Sequence, residues 1–537
     1  MRITTQHSDR AFQILFYGLC VFYLVFYMPF GFEGTDTGYI FGSSWNVYNG
    51  EFPHRDFIYT RPAFPAYFHS IFLFISETYG YLLDRSFFYV QVFTYSLLAA
   101  KILADHFEIK QKTFLYFIAS LGAIVSVHNY PPMGWNTIDG IFFCTLGLYF
   151  LLKPKLKPVQ VLLGSLFLVL GVFSKQSFYF MPLFLFLYFL LRKDFKKLAW
   201  YSATGLCCLL LYLAFKYATG TLEPFFEQTF QRTGAGSLMN VGVKTYYLAV
   251  KFNLLYFSIG ILLFIAAVKY LPKNIAYALS QLSIAVLFSI VYLNDSDNWS
   301  IVPYLLQLLL LITFGFALFK ILIHKDRRFL LVILLLCLSW SASISNGYQT
   351  PIHFSLPVFF TLYLIVFSAE KRTSELDKLT LQPLTGGIVI LAFLVTFYLG
   401  YQSIYRDAPR KDLNRDMGEV FPQLTFIKSD TEGFEKYSEL KTLAIKYPNF
   451  TVIPSMTLAH YLTGTVNPIG TDWPLDVEIN DEATLLEQQL KEKNTTILLE
   501  NAPLTKEQRD GYELIDRIEQ NWKLIDRTQF FDIYQPQ

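Results

Sequence analysis

Charged residues are what this 537-residue chain has least of: 16% of its positions are Asp, Glu, Lys or Arg, against about 25% in a soluble domain. In their place, 53% of the residues are hydrophobic and 54 are Phe. That is more apolar side chain than a water-facing surface can conceal, which excludes an all-soluble enzyme. Cysteine is scarce as well. Cys20, Cys144, Cys207, Cys208 and Cys337 all lie inside apolar runs, so there is neither a disulfide framework nor a zinc spacing. The chain has no Walker loop, dinucleotide-binding glycine fingerprint, HExxH motif or internal repeat. Nucleic acid is not an expected partner, because the basic residues sit in short loops between apolar runs rather than along one face.

The net charge of +2 conceals a split. Residues 1–403 carry 29 Lys and Arg against 19 Asp and Glu, whereas residues 404–537 carry 15 against 23. We read two units, a membrane domain over 1–403 and a C-terminal α/β domain over 404–537. Fourteen apolar runs, the first at 11–30 and the last at 385–403, approach the ~20 residues that a bilayer-crossing helix needs. If all of them cross, the basic loops at 153–157, 192–197 and 325–328 fall opposite the basic N-terminus, against the tendency of Lys and Arg to stay inside. The run at 64–83 is the one to demote. It follows Pro62 and Pro65, contains His69 and Glu77 and is interrupted by Gly80, and reads as a helix lying along the outer interface. Thirteen spans then remain, with the N-terminus cytoplasmic and residues 404–537 outside. Arg2 and Arg10 precede the run at 11–30 with no small-residue cleavage site, so that run is expected to be an uncleaved anchor.

This topology sends most of the membrane domain's acids outward: Glu33, Asp36, Glu51, Asp56, Glu77, Asp84, Asp139, Glu223, Glu227, Asp295 and Asp297. The middles of the spans are almost free of charge, whereas a transporter places ionisable groups near the midplane. Chemistry is therefore expected at the outer membrane surface.

The first outer region, 31–85, opens with GFEGTDTGYIFGSSWNVYNGEFPHRDFIYTRPA. Thr35 or Asp36 caps a helix expected to run through Tyr48, where Asn49-Gly50 ends it. Arg55, Asp56, Tyr59 and Arg61 follow. An acid at the membrane face followed by paired cations suits group transfer: a carboxylate takes the proton of an attacking hydroxyl, and arginines neutralise a departing phosphate. An acidic cap and ordinary interfacial Arg residues is the plainer reading of the same residues.

The order of an outer Asp, then Asn-Gly-x-x-Pro-x-Arg-Asp-x-x-x-x-Arg-Pro, resembles the first extracytoplasmic loop of GT-C membrane glycosyltransferases. It is most similar to the bacterial relatives of protein O-mannosyltransferases and of lipid A aminoarabinose transferases. Asn136-Thr137-Ile138-Asp139 and Phe173-Ser174-Lys175-Gln176 resemble further segments of that family. The resemblance implies a polytopic α-helical membrane protein of about 13 spans with a C-terminal α/β extracytoplasmic domain in the cytoplasmic (inner) membrane. It also implies inverting transfer from a polyprenyl-phosphate-linked sugar to a lipid, glycan or protein acceptor. By position, Asp36 would be the catalytic carboxylate and Arg61 a contact to the carrier phosphate. Thr37 stands where that family usually has a second acid, so a second carboxylate would come from Glu33, Asp56 or Asp139, and a divalent metal ion, if used, is assigned to Asp139.

Lys175, Arg55 and Arg232 are the further phosphate-binding candidates, Arg232 within an outer loop at 218–243 long enough to act as a lid. Asp56, Tyr59, Gln349 and His353 are candidates to bind substrate. Asp139 reads equally as a helix cap, and Asp295 with Asp297 as a solvated loop. In the C-terminal unit, strands are expected at 450–453, 495–499, 522–526 and 529–534, and helices at 431–446, 455–463, 481–492 and 505–519. Two rival functions remain at this stage: an O-antigen ligase or polymerase-like enzyme, and a polysaccharide or lipid flippase.

Overall fold

The computed structural model describes residues 2–32, 34–127, 132–155, 157–232, 235–270, 305–344, 354–361, 394, 407–479, 482–501 and 511–537. It is mostly helical. The first part contains α1 (Arg2–Phe26), α2 (Asp36–Tyr48), α3 (Phe64–Ile75), α4 (Gly80–His106), α5 (Lys112–Val127), α6 (Asn136–Leu151), α7 (Pro158–Val172), α8 (Met181–Leu191), α9 (Phe195–Ala218), α10 (Leu222–Phe226), α11 (Ala235–Tyr270), α12 (Leu305–Leu322) and α13 (Phe329–Ser343). Among the described residues, three helices are long and apolar enough to cross a membrane: Asp9–Phe26, Gly80–His106 and Phe195–Ala218. The apolar run at 275–293 lies outside the described residues, as does that at 385–403 apart from Leu394.

Glycines set the closest helix contact. A Cβ on Gly147 would stand 2.9 Å from the Gly164 carbonyl, and one on Gly171 would stand 2.6 Å from Cys144 Sγ. Small residues thus let α6 and α7 approach backbone to backbone, as in membrane bundles. Elsewhere the bundle is aromatic: Tyr23 stacks on Tyr89, and Phe16 meets Phe93 edge to face. Outward-facing apolar residues remain on α1 (Ile14, Val21, Val25) and α9 (Leu206, Leu210, Leu211). An exposed surface of that kind suits a lipid solvent.

The bundle has two chemically different ends. At one, Lys197 donates to the Lys153 carbonyl, Arg192 reaches His106, His106 meets the Arg328 carbonyl, and Thr113 donates to Asp9. This end gathers the basic loops. At the other end, Arg85 at the start of α4 donates to the carbonyls of Met28 and Phe30, just past α1. Helices α1 and α4 therefore cross the bundle in opposite senses, while α2 and α3 stay at the second end. The 12 residues of α3 reach ~18 Å, well short of the ~30 Å hydrocarbon layer. The break expected at Gly80 is real, and Gly80 itself opens α4.

The C-terminal part builds a four-stranded sheet in the order β3-β4-β6-β5, where β3 is Phe450–Ile453, β4 Thr496–Glu500, β5 Trp522–Arg527 and β6 Phe531–Pro536; β1 (Arg415–Asp416) and β2 (Lys428–Ser429) form a separate ladder. Strands β3 and β4 are parallel, and β4–β6 and β5–β6 antiparallel. The parallel pair needs a crossover, which α15 (Ala459–Thr463), α16 (Asp476–Ile479) and α17 (Ala483–Glu492) supply. Every residue of β3 and β4 is buried, Thr451, Thr496 and Glu500 included, whereas β5 is exposed after Trp522 and carries the charges of an edge strand. The helix α14 (Thr431–Lys446) begins where expected, with Asp430 accepting from the Gly433 N–H as its cap. The helix expected from 455 starts only at Ala459, because the preceding residues bond outward, Ser455 to Glu500 and Thr457 to the Gly34 and Thr35 carbonyls. Of the helix expected at 505–519, residues 513–521 are helical (α18, Glu513–Asn521) and 502–510 lie outside the described residues.

This unit does not hang from a tether. Phe32, Phe41, Trp45, Leu73 and Tyr81 of the first outer region share one hydrophobic core with Met417, Leu424, Leu440, Leu458 and Tyr461. Thr457 donates to the Gly34 and Thr35 carbonyls, and Trp45 Nε1 to that of Thr465. A Cβ on Gly38 or Gly42 would run into Thr457 at 2.1 and 2.4 Å, so both glycines are needed for this approach.

Candidate functional site

The site grows from α2. The helix spans Asp36–Tyr48 as expected, with Thr35 at its N-cap position and Gly50 beyond its end at φ +90°. Asp36 and Tyr39 are three residues apart and so share one face of the helix. The Arg61 guanidinium lies over the Tyr39 ring, 4.4 Å from its centre, and Tyr39 in turn stacks on Tyr59. The loop that carries Arg61 thereby folds back over the start of the helix that carries Asp36.

Arg61 Nη2 donates to Glu478 Oε1 at 2.9 Å, and Thr60 donates its hydroxyl to the same carboxylate. Its Nη1 is buried without a hydrogen-bond partner among the described residues. Lys175 arrives from the turn after α7. Its Nζ donates to Thr137 Oγ1 at 3.1 Å, and its neighbour Gln176 donates to the Thr60 carbonyl, which pins this turn to the Arg61 loop. Burial, with the Arg61 charge acting in the same direction, lowers the pKa of Lys175 to about 7. Two basic side chains thus stand together beside the Glu478 carboxylate.

Asp139 is not a cap: Trp135 holds the N-cap position of α6. Its Oδ2 accepts from His69 Nε2 at 2.9 Å and its Oδ1 from Gln91 at 2.7 Å. His69 donates from Nδ1 to Asp84, whose other oxygen accepts the Gly134 N–H. Burial works against a charged imidazole here, but Asp139 and Asp84 outweigh it and hold the pKa of His69 up to about 10. The result is a buried Asp–His–Asp chain tying α3, α4 and α6 together. With both Asp139 oxygens engaged, its donor set does not fit a metal centre, and among the described residues no group of three or more His, Cys, Asp or Glu is placed to hold an ion.

Arg55 is paired with Asp56 at 2.8 Å and donates to the Thr219 carbonyl, so this pair fastens the loop to the end of α9. Tyr59 is buried, and its backbone N–H donates to Gln228, which also bonds His54. Arg232 ends a helical turn at Glu227–Arg232. Gln349, His353, Glu33, Asp295 and Asp297 lie outside the described residues. Sequence reasoning missed His69, Asp84 and Gln91, although a His and an Asp inside apolar runs are a signal in themselves. It also missed Glu478, which carries no local signal: it is one acid among several in DVEIND.

No family model matches the chain, and no curated protein matches it. Among solved structures, its neighbours include the crystal structure of ArnT from Cupriavidus metallidurans bound to undecaprenyl phosphate (TM-score 0.47, 11% identity, 98% of each chain covered) and that of the same protein in the apo state (TM-score 0.45, 11% identity, 98% of each chain covered). Both are likenesses of overall shape at low identity.

Proposed function

We propose that the chain transfers a sugar from a polyprenyl-phosphate-linked donor to an acceptor hydroxyl at the outer face of the cytoplasmic membrane, with inversion. The observation that carries this reading is the closeness of Arg61 and Lys175 beside the Glu478 carboxylate, on the side of α2 that bears Asp36. Asp36 takes the proton of the acceptor hydroxyl as its oxygen attacks the anomeric carbon. The bond from that carbon to the phosphate oxygen breaks, and the electron pair leaves with the polyprenyl phosphate. Its charge rises by one, and Arg61 and Lys175 are placed to stabilise that rise. The Asp–His–Asp chain under α6 positions Thr137, the partner of Lys175. No step is assigned to a metal.

A lipid-linked donor suits the location, since nucleotide sugars are confined to the cytoplasm whereas a polyprenyl carrier diffuses in the membrane. The basic end of the bundle is then cytoplasmic, and the C-terminal unit, which supplies Glu478, is outside. The acceptor is a lipid, glycan or protein of the cell envelope. Sugar release from a purified polyprenyl-phosphate sugar tests the reading. Asp36→Asn is expected to lower turnover by ~10²–10⁴, the usual worth of a general base, with donor binding retained. Full activity in that variant would overturn the mechanism, and substrate flux into vesicles without any transfer would favour a flippase.

A further inference from the structure

Lys216, in the last turn of α9, has no part in the reading above. Its side chain is 0% exposed, and its Nζ has no hydrogen-bond partner. No carboxylate among the described residues pairs with it. What surrounds it instead is aromatic: the rings of Tyr67 and Tyr212 lie 5.8 Å from Nζ and that of Phe225 lies 5.5 Å away. These distances are near the ~6 Å outer limit of cation–π attraction. The rings therefore offset only part of what a buried ammonium loses with its water.

The hydroxyls of Tyr67 and Tyr212 are also buried without partners. Three polar groups from α3 and α9 are left unsatisfied within one aromatic enclosure, and each of them can donate. The ammonium can only donate and both hydroxyls can turn to do so, so an oxyanion can accept from all three. Low-dielectric aromatic walls strengthen the attraction between such an anion and the ammonium. The wall is continuous with the other site: Phe173, two residues before Lys175, stacks on Tyr212 at 3.8 Å.

We propose that Lys216, Tyr67 and Tyr212 form a second anion-binding site, between α3, α9 and α10, which takes the phosphate group of a ligand. This site is separate from Arg61 and Lys175 and holds whatever the fate of the transfer reaction assigned to them.

Equilibrium binding of radiolabelled farnesyl phosphate to the full-length protein in detergent micelles tests the proposal. The wild type is expected to bind two equivalents, Lys216→Met one, the Arg61→Gln/Lys175→Gln double variant one, and the triple variant none. Two equivalents in Lys216→Met, or a single equivalent unaffected by that substitution, would overturn it. Thermal melting without ligand guards against a folding artefact. Removing an uncompensated buried cation should leave the melting temperature of Lys216→Met unchanged or raised; a fall of several degrees would mean that Lys216 is a structural plug, and would also overturn the proposal. Competition identifies the source. Displacement of the Lys216-dependent equivalent by millimolar inorganic phosphate supports a soluble phosphate, and displacement only by excess unlabelled farnesyl phosphate supports a lipid headgroup.

Discussion

Lys175 and Arg61 repel one another, and that repulsion is useful only when an anion arrives between them. With its pKa lowered to about 7 by burial and by Arg61, the empty site loses its second positive charge as pH rises through neutrality. A sugar phosphodiester keeps one fixed charge over this range, so a pH dependence of its binding reports the protein. Donor affinity, read as KM or by direct titration, should fall as pH rises above about 7. Lys175→Arg should abolish that alkaline decline, because a guanidinium stays charged. Persistence of the decline in that variant would remove Lys175 from the phosphate site. Both residues were legible in the sequence as cations beside outer acids. Their proximity was not, because 114 positions separate them and only the turn after α7 brings them together.

Helix α3 illustrates the next scale. Pro62, Pro65 and Gly80 marked it as an interfacial helix, but its purpose lies in His69, which clamps α4 and α6. Breaking one member of a buried ion chain leaves the others uncompensated and costs about 3–5 kcal/mol. His69→Ala should therefore lower the melting temperature sharply, well before any effect on chemistry is considered. Gly134 packs on the same ring, where an added Cβ would stand 2.7 Å from the His69 Cε1. Gly134→Ala is expected to cost about 1–3 kcal/mol through overpacking, measured in the same melt; neutrality of both variants would show that the clamp is not structural.

At the contact between α2 and the C-terminal unit, Asp472 accepts from Asn46 and Asn467. Burial raises its pKa to about 6, and burial with the Asp472 charge raises that of Glu51 to about 7. Groups with raised folded values stabilise while protonated, and that contribution is lost as pH rises through about 6–7. Melting temperature should accordingly fall from mildly acidic to neutral pH, and Glu51→Gln with Asp472→Asn should flatten the slope.

For the whole molecule, polarity is the testable property. The contacts of Lys153, Arg192 and Arg328 place the basic loops at the end of the bundle opposite Glu478 and α14. A membrane-impermeant maleimide applied to spheroplasts should label Glu432→Cys directly and Lys155→Cys only after permeabilisation. The reverse pattern would invert the proposed topology. Composition had suggested two objects joined near residue 403, one basic and one acidic. In the folded chain they share a core, because the first outer region presents Phe41, Trp45 and Tyr81 to the C-terminal unit rather than to water.

By itself the sequence determined the elements: the apolar runs, the break at Gly80, the start and end of α2, and the strands of the C-terminal sheet. These follow from local hydrophobicity, turn residues and side-chain periodicity, all of which act over a few positions. Charge parity, which adds up along the chain, also pointed to acids gathering opposite the basic loops. Tertiary structure alone decided that Glu478 pairs with Arg61, that Asp139 belongs to His69 and Gln91, and that Lys216 is enclosed by rings from three helices. Those are contacts between residues tens to hundreds of positions apart, chosen by which surfaces can pack together and leave the fewest buried charges unanswered.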